Sequence, residues 1–112
     1  MNIQIYAGKK NFDTQKAERY FKERKIAYQM VDLHRKNLSR GELQTLAKAV
    51  GLEALINPSA PEYKSLNMAY HGVSPMAEEL LLSHAGLLRT PIVRNGRQAT
   101  IGFQPEIWQS WT

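Results

Sequence analysis

Alternation of apolar and polar residues marks the start of the chain. In Asn2–Tyr6, "NIQIY", Ile3 and Ile5 fall on one face with polar residues on the other, which is the period of a strand. From Asp13 the period lengthens. Ala17, Tyr20, Phe21 and Arg24 recur at i, i+3, i+4 and i+7, the stripe of an amphipathic helix. Asn11 or Asp13 is placed to cap it. Ala27–Leu33, "AYQMVDL", then reads as a second strand entered through Lys25–Ile26. Strand, helix and strand within about thirty residues form a βαβ unit with parallel strands.

The middle of the chain reads as helical. "SRGE" at Ser39–Glu42 has capping-box spacing, and Leu43, Leu46, Ala47 and Val50 follow on one face. Gly51 is a natural C-cap. A short helix is expected after Ser59. Another starts with Ser74 as cap and Pro75 at its first position, carries Glu78 in its first turn, and stops at Gly86. Beyond it, Ile92 and Val93 precede Asn95–Gly96, while Ala99 and Ile101 come after. Asn-Gly between two strand patterns signals a hairpin. "QPEIWQSW" closes the chain as a helix with Pro105 at its first position. The order is β-α-β, an all-helical insertion over about residues 37–86, then β-β-α. It predicts one α/β domain over residues 1–112: a four-stranded mixed sheet in the thioredoxin-like arrangement.

Composition narrows the function. The 112 residues are 43% hydrophobic, enough for one core. No apolar run approaches the roughly 20 residues needed to cross a bilayer, and the N-terminus lacks a signal-peptide layout. We therefore expect a soluble, cytoplasmic protein. Fifteen Lys and Arg against ten Asp and Glu give a net charge of +5. This charge fits a solvated basic surface or an acidic partner. No basic stretch is interleaved with aromatics and no zinc-finger spacing occurs, so direct binding to nucleic acid is not expected. There is no cysteine, which excludes disulfides, thiolate metal sites and a cysteine nucleophile. His34, His71 and His84 lack metal-ligand spacing, and no metal or cofactor is expected.

The stretches "IYAGKKNFDTQKAERYFKERKI" and "HAGLLRTPIVRNGRQATIGFQPEIW", with the helical insertion between them, resemble the arsenate reductase (ArsC) and Spx family of thioredoxin-like proteins. The resemblance covers nearly the whole chain. It implies that Thr90–Pro91 is the cis-proline bond of the fold. It sets the family's reactive cysteine at Asn11 and the second cysteine of Spx-type members at Thr14, so the loop reads Asn-x-x-Thr. It also implies oxyanion-holding arginines near Asn57, at Thr90 and near Ile101 and Gly102. This sequence departs from the pattern at each.

The resemblance and the departures together imply a family member without thiol redox chemistry, acting as a binding or regulatory module. The candidate ligand site comprises Lys9, Lys10, Asn11, Phe12 and Thr14 at a helix start that favours anions, with Arg89, Thr90 and Pro91 across the turn. The bland alternative is that Asn11 and Asp13 only cap the helix, the lysines are solvated, and Arg89 is surface charge or a carbonyl partner for the loop. By analogy with Spx, the implied partner is the C-terminal domain of the RNA polymerase α subunit, with Gly51 matching the glycine that ends a helix there. Trp108 and Trp111, spaced i, i+3, are expected to dock on the core; one exposed ring would instead be a partner anchor. The other functional reading is an oxidoreductase that borrows a thiol, with glutathione bound beside Thr90 and Pro91. A structural partner of a larger assembly is the third.

Overall fold

The computed structural model describes residues 1–111. Its elements are β1 (Ile3–Ala7), α1 (Phe12–Glu23), β2 (Tyr28–Asp32), α2 (Arg40–Val50), α3 (Leu52–Leu55), α4 (Pro61–Ser65), α5 (Met68–His71) and α6 (Pro75–Ser83). A 3-10 turn (Ala85–Leu87), β3 (Ile92–Asn95), β4 (Gln98–Ile101) and α7 (Pro105–Gln109) complete them. The sheet order is β2-β1-β3-β4. β1 runs parallel to β2, and β3 pairs antiparallel with both β1 and β4. This is the mixed sheet expected from the hydrophobic pattern.

Two cores lie on the two faces of that sheet. Ile3, Ile5 and Val93 pack against Ala17, Tyr20 and Phe21 of α1 and Trp108 of α7. On the other face, Tyr6 and Ile92 meet the leucine-rich helical insertion, including Leu43, Leu46, Leu55 and Leu81. The alternation in "NIQIY" assigns Tyr6 to a polar face. It is instead fully buried, because the insertion covers that side of the central strand. Its hydroxyl donates to Glu42 Oε2 at 3.0 Å and accepts from Arg94 Nη1 at 3.3 Å, so the polar group is satisfied.

Local signals set most helix ends. Asn11 is the N-cap of α1, which begins at Phe12 rather than Asp13. Its C-terminus closes through Lys25 N to Lys22 O and Ile26 N to Phe21 O, with Lys25 left-handed at φ 57°. The capping box at Ser39 and Glu42 is present in full. Gly51 ends α2 at φ 90°; a Cβ there would meet open space, so the backbone conformation is the reason for glycine. Ser74 caps α6 by accepting from Ala77 N, with Pro75 at the first position. Gly86 is not the stop that the sequence suggests. α6 ends at Ser83, and Gly86 lies inside the 3-10 turn beyond it. No helix among the described residues is long and apolar enough to cross a membrane.

Candidate functional site: a cleft beside the Thr90–Pro91 turn

β1 delivers the chain into the turn Gly8–Lys10, and Asn11 redirects it into α1. The Asn11 backbone is extended, at φ −148° and ψ 163°, which frees its side chain to fold back over the helix start. Asn11 Oδ1 accepts from Thr14 N at 2.7 Å and from the Thr14 hydroxyl at 3.0 Å. Asn11 Nδ2 donates across the fold to the Thr90 carbonyl and the Thr90 hydroxyl, both at 3.3 Å. The Thr90–Pro91 bond is cis. The side chain of Asn11 therefore ties the first helix to the cis-proline turn. Thr14 is buried, and its hydroxyl is committed to the same contact.

The other predicted residues separate. Lys9 is exposed and lines a cleft of about 320 Å³ with Gly8, Thr90 and the helical insertion. Lys10 is exposed outside this lining, and Phe12 is 79% exposed. Arg89 does not face the loop, contrary to expectation. Leu88 is extended, at φ −78° and ψ 140°. Leu88 and Thr90 take the cleft side. Arg89 takes the other, where its Nε donates to Ile56 O at 3.1 Å beside a separate hollow of about 350 Å³.

Trp108 is 1% exposed, and its Nε1 donates to Thr100 Oγ1 at 2.8 Å. A ring sealed in the aromatic core cannot anchor a partner, so its role is to hold α7 on the sheet. Trp111 packs half-buried against the same core. Gly51 is exposed at the end of α2.

On the far wall of the cleft only Asn57 is marked in the sequence, as the neighbourhood of an oxyanion-holding arginine in the family resemblance. That wall brings in His34 after β2, Asn57 and Ser59 before α4, Glu62 in α4, and Gly86 in the 3-10 turn. Asn57 Oδ1 accepts from Ser59 N at 3.0 Å, and Asn57 N donates to Leu87 O at 2.8 Å. These bonds hold the wall in place. No local periodicity marks it, because its residues meet only in the tertiary fold. Among the described residues no group of three or more His, Asp or Glu side chains is placed to hold a metal.

A polar joint links the strand that enters the loop to the helical insertion. Burial alone would push the Glu42 carboxyl up. Hydrogen bonds from Ser39 N, the Tyr6 hydroxyl and the Ser39 hydroxyl outweigh it, and with the charge of Lys36 they hold Glu42 below its ordinary value. Tyr6 is pushed the other way. Burial raises it, and its donation to the Glu42 carboxylate adds to the rise, against the opposing effect of Arg94. The two directions agree with a phenol donating to an ionised carboxylate.

A cis-proline turn facing the start of the first helix, on a sheet ordered β2-β1-β3-β4, defines a thioredoxin-like fold. The family model described as "ArsC family" matches residues 6–111, and the chain belongs to that family. It is 28% identical over 110 residues to the global transcriptional regulator Spx 2 of Oceanobacillus iheyensis, covering 95% of this chain and 80% of that one. It is 34% identical over 90 residues to an arsenate reductase of Haemophilus influenzae, covering 75% and 77%. The solved arsenate reductase from Vibrio cholerae superposes with a TM-score of 0.85 at 25% identity, covering 98% of this chain and 97% of that chain. This chain differs from a thiol-dependent reductase in having no cysteine at all.

Proposed function

We propose that this protein is a non-catalytic member of the ArsC family that works as a binding or regulatory module. The observation that carries this reading is the side chain of Asn11. It stands at the position the family resemblance gives to the reactive cysteine, and its oxygen and nitrogen are both spent on Thr14 and Thr90. An amide does not form an arsenic–sulfur bond or pass one to glutathione. Thr14 cannot substitute, because its hydroxyl donates to Asn11 Oδ1, an amide oxygen that cannot act as an activating base. The similarity to Spx 2 supports a regulatory role through a protein partner in the cytoplasm. On that analogy the partner is the C-terminal domain of the RNA polymerase α subunit, and Gly51 and Trp111 belong to the surface to be tested. The reading is checked by using the purified chain as bait in a native extract with mass spectrometry. Stoichiometric recovery of a protein partner is the expected result. Absence of any partner, together with thiol-dependent turnover by the purified chain, would overturn it.

One observation favours a second reading. The cleft of about 320 Å³ lies directly against Thr90, where peptide-like ligands pair with backbone groups in glutathione-dependent relatives. On this reading the chain binds glutathione and borrows its thiol. A calorimetric titration with glutathione separates the two readings: saturable heat favours the second, and its absence favours the first.

A further inference from the structure

The two walls of the cleft carry opposite charge. Lys9 stands on the loop side. Glu62, in the first turn of α4, stands on the helical side. Glu62 is half-buried, yet its carboxylate takes part in neither of the ion pairs and in none of the side-chain hydrogen bonds among the described residues. A half-buried carboxylate loses hydration and ordinarily recovers it through a partner. The Glu62 carboxyl lies over Gly86, where a Cβ would collide with its oxygen. Gly86 is not among the glycines with positive φ, so its backbone places no demand for glycine. A methyl group at Gly86 would push the flexible end of Glu62 aside.

We propose that the cleft takes a small ligand through a primary ammonium or guanidinium group, which the Glu62 carboxylate receives, and that it turns away phosphate-like oxyanions. A charge-assisted hydrogen bond between a cationic nitrogen and this carboxylate supplies the missing partner. An oxyanion entering beside Glu62 meets like charge, and Lys9 on the opposite wall is the one lysine or arginine in the lining to offset it. Lys9 on the opposite wall receives an acidic end where the ligand has one. In a chain of net charge +5 this favours an amine that also carries a carboxylate over a polyamine. The proposal rests on the cleft being a ligand site, as in the second reading above.

The test is an amide NMR titration of the full chain with L-arginine, inorganic phosphate and glutathione as separate probes. L-Arginine should shift the Gly86 and Leu88 amides saturably, and phosphate should not. Glu62→Gln keeps the shape and removes the charge, and should weaken L-arginine about tenfold or more, as expected for a hydrogen bond to a charged group. Unchanged dispersion of the remaining amides shows that this variant is folded. Gly86→Ala keeps the charge and displaces the carboxylate, so it should weaken L-arginine as well. Saturation by phosphate, or undiminished L-arginine binding in Glu62→Gln, overturns the proposal. Saturable glutathione binding that ignores Glu62→Gln overturns it while leaving the cleft a ligand site. No saturable shift with any of the three probes overturns both.

Discussion

On the loop side, next to the cleft-lining residues Gly8, Lys9 and Thr90, Asn11 spends its side-chain oxygen twice and its nitrogen on two acceptors. On the helical wall, Glu62 makes no side-chain contact of that kind. Asn11 is closed upon the fold and Glu62 is left open. The loop side holds the place where the family resemblance sets the reaction, and the polar atoms of Asn11 there are used in holding the fold. A residue that replaces a nucleophile becomes structural when its neighbours satisfy it completely. A charged residue without a partner in the fold is available to something from outside.

The contrast breaks most sharply at Asn11. Asn11→Ala removes the cap of α1 and both links to Thr90. The expected loss is about 2 kcal/mol of unfolding free energy, read from urea titration. A loss within experimental error would mean that the loop wall is not structural. The next effect concerns the joint behind the cleft. Tyr6→Phe should cost about 1 kcal/mol, because Glu42 and Arg94 both lose a partner.

That joint also sets a pH dependence. Glu42 is held below its ordinary value in the folded chain, so on acidification the unfolded chain takes up its proton first. The contribution is present above the ordinary carboxylate range and is lost as pH falls through the folded value. In Tyr6→Phe the acid transition should begin at higher pH than in the wild type. The raised Tyr6 works in the opposite range: its contribution is present below about pH 10 and is lost as pH rises through the folded value. An acid limb that Tyr6→Phe leaves unmoved would remove Tyr6 from the joint.

The same wall can be returned to thiol chemistry in part. Asn11→Cys places a sulfur at the start of α1, near Lys9 and Lys10. The helix dipole and the lysines favour thiolate, so the apparent pKa from iodoacetamide rates should fall below about 8.5. A value at or above about 8.5 would mean that the loop is not a helix start that favours anions. The smallest effect belongs to the open wall. Glu62→Gln should change stability by no more than about 0.5 kcal/mol, since it breaks no contact within the chain. A larger loss in the same urea titration would show that Glu62 is structural and that the two walls do not differ.

The sequence reveals the loop wall better than the helical one, for a physical reason. Asn11 at an N-cap is a local event, settled within four residues, and its pattern is visible in "KKNFDT". Its reach to Thr90 spans 79 positions and needs the fold. The strands and the long helices α1, α2 and α6 have enough length for a period to show. The four-residue helices α3 and α5 do not. Sequence pattern does not place Arg89, because its partner, the Ile56 carbonyl, lies 33 positions away and meets it only in the fold. Gly86 reads as a helix stop because glycine usually signals one. Its clearance for a carboxylate 24 positions away has no local trace. Tyr6 reads as facing a polar side because its cover arrives from α2 and the rest of the insertion, more than thirty residues later.

The central claim is that this ArsC-family fold works without thiol chemistry of its own. The most direct measurement is arsenate turnover by the purified chain with glutathione and glutaredoxin supplied. The account predicts a rate indistinguishable from the protein-free background, because neither Asn11 nor Thr14 can form the covalent arsenic intermediate. Turnover above that background, scaling with the concentration of the chain, would contradict it.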